Sequence, residues 1–119
     1  MPECERNMAM SAEKYRIVYT ESAQLDIEEK ADYISFVLRE GRIGNNWYLR
    51  LRQEVREKLS LFPRKYPVFR RYEGTLEIRQ YVCRNDVILY SVDEDCRAVY
   101  IWAITTKGRD LDSFLSKRL

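Results

Sequence analysis

The sequence predicts an α+β domain in which an N-terminal strand and an α-helical hairpin precede a mostly antiparallel β-meander and a short C-terminal helix. Three observations carry this reading. From Ala23 to Leu38, and again from Trp47 to Leu59, apolar residues recur at spacings of three and four, the period of a helix that buries one face. Between Leu76 and Ile104 the pattern changes to alternation or to nearly unbroken apolar runs, as strands require. Arg84-Asn85-Asp86 and Asp93-Glu94-Asp95 interrupt those runs with turn chemistry. A chain of 119 residues has room for one such core.

Residues 1–14 show neither period and hold all three methionines, so they are expected to be a disordered extension, with Met8 or Met10 as a natural start. Residues 15–119 are then a single domain. Tyr15 to Tyr19 is a short β-branched and aromatic run that reads as a first strand. Thr20 offers an oxygen to cap the helix that follows, and Glu21 suits its dipole.

Ala23, Ile27, Ala31, Ile34 and Leu38 make one apolar stripe, read as core, on a helix of about 18 residues. Gly41 and Gly44 bracket a break, and a second helix begins between Arg42 and Asn46 with Trp47, Leu51, Val55 and Leu59 as its stripe. So short a link makes an antiparallel hairpin. Pro63 ends the second helix, and Pro67 disfavours helix at Tyr66. The basic stretch from Phe62 to Gly74 begins as loop and can pair as an edge.

Leu76 to Val82 alternates, whereas Val87 to Val92 is nearly all apolar and reads as a central strand covered on both faces. Ala98 to Ile104 is similarly apolar, and Leu111, Phe114 and Leu115 suggest a short terminal helix.

The net charge is only +2, yet it is unevenly spread. Glu21, Asp26, Glu28, Glu29 and Asp32 face a single base, Lys30, in the first helix. Arg64, Lys65, Arg70, Arg71, Arg79 and Arg84 outnumber Glu73, Glu77 and Asp86 from Phe62 to Tyr90. These arginines either form a basic face or pair locally with Glu73 and Glu77. Cys4, Cys83 and Cys96 lack metal-ligand spacing, and Cys83 and Cys96 fall roughly 15 Å apart along the middle strand, too far to bridge. Reduced thiols, no metal, and a soluble cytoplasmic protein without a membrane span are expected.

No phosphate-binding glycine loop or dinucleotide fingerprint is present, so no cofactor is expected. The chain has no histidine, the usual proton shuttle near neutral pH. Any covalent chemistry must use Glu, Lys, Arg or Tyr. Tyr90, Trp102 and Trp47 are assigned to packing before stacking on bases.

Ordered along the chain, several short patterns resemble the ParE/RelE toxin superfamily of type II toxin–antitoxin pairs. Thr20, Ala23, Asp26, Ile27, Tyr33 and Ile34 match its opening; Leu59, Ser60, Leu61 and Pro63 match the end of its second helix. Val87, Leu89, Tyr90 and Val92 resemble its "Y-x-I-x-Y-x-V" strand, and Thr106 to Asp110 its closing His-x-x-Arg-Asp, with Thr106 in place of the histidine. The resemblance covers about residues 15 to 115 and implies a toxin neutralised by a cognate antitoxin.

Two activities follow from the resemblance: ribosome-dependent messenger RNA cleavage in the RelE branch and DNA gyrase inhibition in the ParE branch. Val87 stands where the nuclease branch tends to place an arginine, and Thr106 where it places histidine, so the ParE-like branch and a binding role without catalysis are expected. A degenerate, non-toxic binding module is a further alternative. A nuclease would have to use Glu77, Arg79, Tyr81 and Lys107, with Glu77 or Tyr81 as base. A target-binding face would draw on Arg70, Arg71, Arg79, Arg84, Lys107 and Arg109. Leu49, Phe114 and Leu115 are the candidate antitoxin contacts, and Leu49 could equally meet a second toxin copy. Homodimers or toxin–antitoxin hetero-oligomers are both compatible with the sequence.

Overall fold

The computed structural model of the chain describes residues 14–72, 76–108 and 110–116. The extension expected over residues 1–14 therefore lies, apart from Lys14, outside the described residues. The elements are β1 (Arg16–Tyr19), α1 (Glu21–Leu38), α2 (Gly41–Leu59), β2 (Val68–Arg71), β3 (Glu77–Cys83), β4 (Asp86–Asp93), β5 (Ala98–Thr106) and α3 (Leu111–Ser116), with a 3-10 turn over Pro63–Lys65. They build one sheet in the order β1-β5-β4-β3-β2, parallel between β1 and β5 and antiparallel elsewhere. The α+β expectation and its order of elements are borne out.

β4 lies in the middle of the sheet, and Asp86 through Ser91 are all buried, as its apolar run requires. The hairpin covers one face, laying Ala23, Ile27, Leu51, Val55 and Leu59 over Tyr81, Ile88, Tyr90, Val99 and Ile101. On the second face Leu115 of α3 packs on Ile78, Val87, Leu89 and Ala103. Tyr90 opposes Ile101 while Leu89 opposes Ala103, so Trp102 is the extra residue of a bulge. That bulge turns Ile101 and Ile104 to the hairpin side and Trp102 with Ala103 to the other. Tyr90 and Trp102 are packing residues, as expected: Tyr90 donates its hydroxyl to Pro63 O (2.6 Å) and Trp102 its indole N–H to Ser91 Oγ (2.9 Å).

Thr20 does more than cap. Its hydroxyl accepts from the Ala23 amide (3.2 Å) and donates to Ile101 O (2.8 Å), tying the start of α1 to β5. β1 stops at Tyr19, paired with Ile101, which leaves the later part of β5 without a strand on that side. Asp26, from the second turn of α1, takes over there and accepts from the Ile104 amide at 3.0 Å. Replacing Asp26 by Ala should cost about 1–3 kcal/mol, the usual consequence of stranding a buried donor. Hydrogen exchange at the Ile104 amide checks it; unchanged protection in the variant counts against the bond.

Four expectations need correction. The α1 stripe is core only at Ala23 and Ile27, while Leu38 is exposed, because the helix runs past the packed core. Gly44 does not bound a break: α2 already begins at Gly41, and Gly44 is buried inside it, where a Cβ would sit 2.2 Å from Ala31 O. The chain reverses instead at Arg39, which takes a left-handed φ of 53°. Asp86 is not a turn residue but the buried first residue of β4. The thiols also differ from expectation: Cys83 is free and buried, but Cys96 is disulfide-bonded, which the comparison of Cys83 with Cys96 alone did not anticipate.

Candidate functional site

Where β3 turns into β4 and β5 ends, a polar cluster forms beneath a basic rim. The buried Asp86 carboxylate accepts from Lys30 Nζ and from Trp47 Nε1 (3.0 Å). Lys30 also donates to Thr106 Oγ1 at 3.4 Å, and its ammonium lies 5.4 Å from the centre of the Trp47 ring. One carboxylate thus joins α1, α2 and β4. Thr106 serves as a hydrogen-bond acceptor for Lys30. Lys30 was missed as a site residue; the available signal was a lone base one helical turn after Asp26, on the side of α1 that meets the sheet.

Above this cluster stand Arg84 and Lys107, both exposed, with the Lys107 amide bonded to Asn85 O (2.8 Å) so that the two turns are joined. Arg109 lies outside the described residues. The remaining predicted basic residues are toward the other end of the sheet, since β3 extends about 20 Å from Glu77 to Cys83. Arg70 pairs with Asp112 of α3 (2.8 Å) and Arg71 with Glu77 (2.9 Å). Arg79 is only 14% exposed, and its guanidinium donates to Tyr66 O (2.6 Å), Arg64 O (3.1 Å) and Glu77 (3.4 Å). It staples the chain around the 3-10 turn.

The four residues of the nuclease reading are not assembled. Glu77 and Arg79 meet, but Arg71 above all holds the Glu77 carboxyl below its ordinary range, and Arg79 and Arg64 reinforce this, so it stays ionised and engaged. Tyr81 lies under α2 with its hydroxyl on Glu54 (2.9 Å), and burial foremost pushes its proton loss upward. Lys107 is at the opposite end. Of the antitoxin candidates, Leu49 is exposed, Leu115 is fully buried, and the Phe114 side chain lies outside what the structure describes.

A second network, absent from the sequence reading, links the β4–β5 turn to the 3-10 turn. Glu94 accepts from Arg64 and from the Tyr15 hydroxyl (2.6 Å), while Arg97 lies 4.4 Å over the Tyr15 ring. The Arg64 bond, then the Tyr15 bond, hold the Glu94 carboxyl below its ordinary 4.5. A depressed folded value stabilises the protein above the ordinary one and is lost as the pH falls through the folded value. Wild-type stability should therefore decline as pH drops below 4.5, and Glu94→Gln should flatten that decline. Urea titrations at several pH values read it directly; equal slopes for both proteins would rule out the contribution.

No protein-family model and no curated protein matches the sequence. Among solved structures, the chain is similar to a chain in the crystal structure of the toxin–antitoxin complex RelBE2 from Mycobacterium tuberculosis, with a TM-score of 0.56 and 15% identity over 81% of this chain and 94% of that one. A hairpin across one face of a five-stranded sheet, parallel at β1–β5 and antiparallel elsewhere, gives this chain the RelE/ParE-like fold.

Proposed function

We propose that this protein is the toxin of a toxin–antitoxin pair, that it arrests growth by gripping DNA gyrase rather than by cutting messenger RNA, and that a cognate antitoxin neutralises it in the cytoplasm. The likeness to a chain of the RelBE2 complex supports the toxin role. Support for the binding role comes from one observation: Glu77, Arg79, Tyr81 and Lys107 do not converge, and the first three are committed to internal partners. RNA cleavage needs a base near the attacking hydroxyl and an acid near the leaving oxygen; Glu77, kept ionised by its arginines, is a weak base and cannot be the acid, and the buried Tyr81 keeps its proton on Glu54.

A grip on a protein target requires only an exposed, fixed surface, which Arg84 and Lys107 offer, with Arg109 two residues beyond Lys107 in sequence. Arg84 occupies a left-handed turn at φ 60°, a position where glycine is cheaper by about 1 kcal/mol. Arg84→Gly should then raise stability by about 0.5–1 kcal/mol and weaken target inhibition, whereas a variant that gains stability with full inhibition would remove Arg84 from the grip. The decisive assay is DNA supercoiling by purified gyrase, run beside ribosome-bound message. Inhibition without cleavage supports the proposal; cleavage without inhibition would falsify it. Leu115 belongs to the core and offers the antitoxin no contact.

A further inference from the structure

The hairpin faces turned away from the sheet carry an ordered pattern that the proposed function does not use. On α1, Leu25, Glu29, Asp32 and Phe36 recur at spacings of four and three, opposite the buried Ala23 and Ile27, with Tyr33 beside them. Phe36 is 82% exposed and Tyr33 67%. On α2, Arg42, Asn46, Leu49, Gln53 and Arg56 form the corresponding row opposite Leu51 and Val55, and Leu49 is 56% exposed.

Charge is segregated between the two helices. α1 exposes Glu21, Glu28, Glu29 and Asp32, while its one base, Lys30, is held by Asp86; α2 exposes Arg42, Arg50, Arg56 and Lys58 against Glu57. Among the described residues no ion pair joins α1 to α2, so these opposite charges are not spent on each other within one chain. Exposed aromatic side chains set among charges of both signs are the composition of an interface core with its rim.

We propose that this outer face binds a second copy of the chain, the two hairpins stacked about a two-fold axis so that α1 of each lies on α2 of the other. An acidic partner is repelled by α1 and a basic one by α2. A second copy in this arrangement is attracted by both, and each favourable contact is made twice. Phe36, Tyr33 and Leu49 supply the apolar centre, and Glu29 and Asp32 meet arginines of the opposing α2. Leu49 thus goes to a second copy rather than to an antitoxin, and the proposal holds whatever the toxin's target.

Sedimentation of the full-length chain tests it. The wild type should be a dimer that dissociates on dilution and with added salt. Phe36→Asp should weaken it by at least about tenfold, the effect of losing a central aromatic anchor, with an unchanged circular dichroism spectrum. Leu49→Asp serves as the second variant. A chain bearing Glu28→Lys, Glu29→Lys and Asp32→Lys, and another bearing Arg42→Glu, Arg50→Glu and Arg56→Glu, should each be monomeric alone and form heterodimers when mixed. A monomeric wild type overturns the proposal and leaves the face to a different protein. Dimers indifferent to both Phe36→Asp and Leu49→Asp, or a mixture that stays monomeric, overturn it as well.

Discussion

Asp86→Ala is expected to lower the free energy of unfolding by about 4 kcal/mol. Breaking a buried ion pair by removing one partner costs about 3–5 kcal/mol, because the other charge is left uncompensated. Here the Lys30 side chain is 24% exposed, so water relieves part of that cost and the lower end applies. Trp47 Nε1 loses its acceptor too, adding about 1 kcal/mol. Asp86→Asn keeps an acceptor for Trp47 but not the countercharge for Lys30, so an intermediate loss is expected. Against a total stability of about 5–15 kcal/mol for a domain of this size, the alanine variant loses a large share of its margin. Urea titration should show a lower midpoint with an unchanged slope. A loss below about 1 kcal/mol would show that the cluster is solvated and does not pin α1 and α2 to β4.

The same variant links stability to the proposed grip. Lys30 holds Thr106 as well as Asp86, and the Lys107 amide is bonded to Asn85 O, so the two basic turns rest on the cluster. Growth arrest should weaken in proportion to the fraction unfolded, whereas Arg84→Gly should weaken it in a protein that is more stable. Comparing the two separates a loss of fold from a loss of contact.

Most of the fold was legible because it depends on periodicity. The stripe Trp47, Leu51, Val55 and Leu59, the run Val87 to Val92 and the cap at Thr20 each state a local preference that packing does not override. What escaped was set by tertiary neighbours. Asp86 follows a turn dipeptide and reads as turn chemistry until Lys30 and Trp47, distant in sequence, close over it. Trp102 looks like one more residue of a nearly all-apolar run, and only pairing with β4 makes it a bulge. The basic residues were legible as a set but not as a place: strand direction sends Arg71 and Arg84 to opposite ends of the sheet, and nothing in composition records which carbonyls Arg79 will clasp.

Gly44 is the sharpest case of a residue whose role only packing reveals, and Gly44→Ala is the second large effect expected. In an exposed helix interior that change would stabilise by about 1 kcal/mol. Here the new Cβ would stand 2.1 Å from Ser35 Oγ and 2.2 Å from Ala31 O. The serine hydroxyl can rotate away, but the carbonyl belongs to the backbone of α1, so the helices must separate. Overpacking of this kind costs about 1–3 kcal/mol and more when backbone must move, so a net loss of about 2–3 kcal/mol is expected after the helix-propensity gain. Combining Gly44→Ala with Ser35→Gly distinguishes the two contacts. If Ala31 O is the obstacle, the double variant stays as unstable as the sum of the single ones; if Ser35 Oγ is, stability returns. A Gly44→Ala protein as stable as the wild type would mean that α1 and α2 do not cross this closely. In that event the spacing of the outer rows, and the dimer built on them, would have to be redrawn as well.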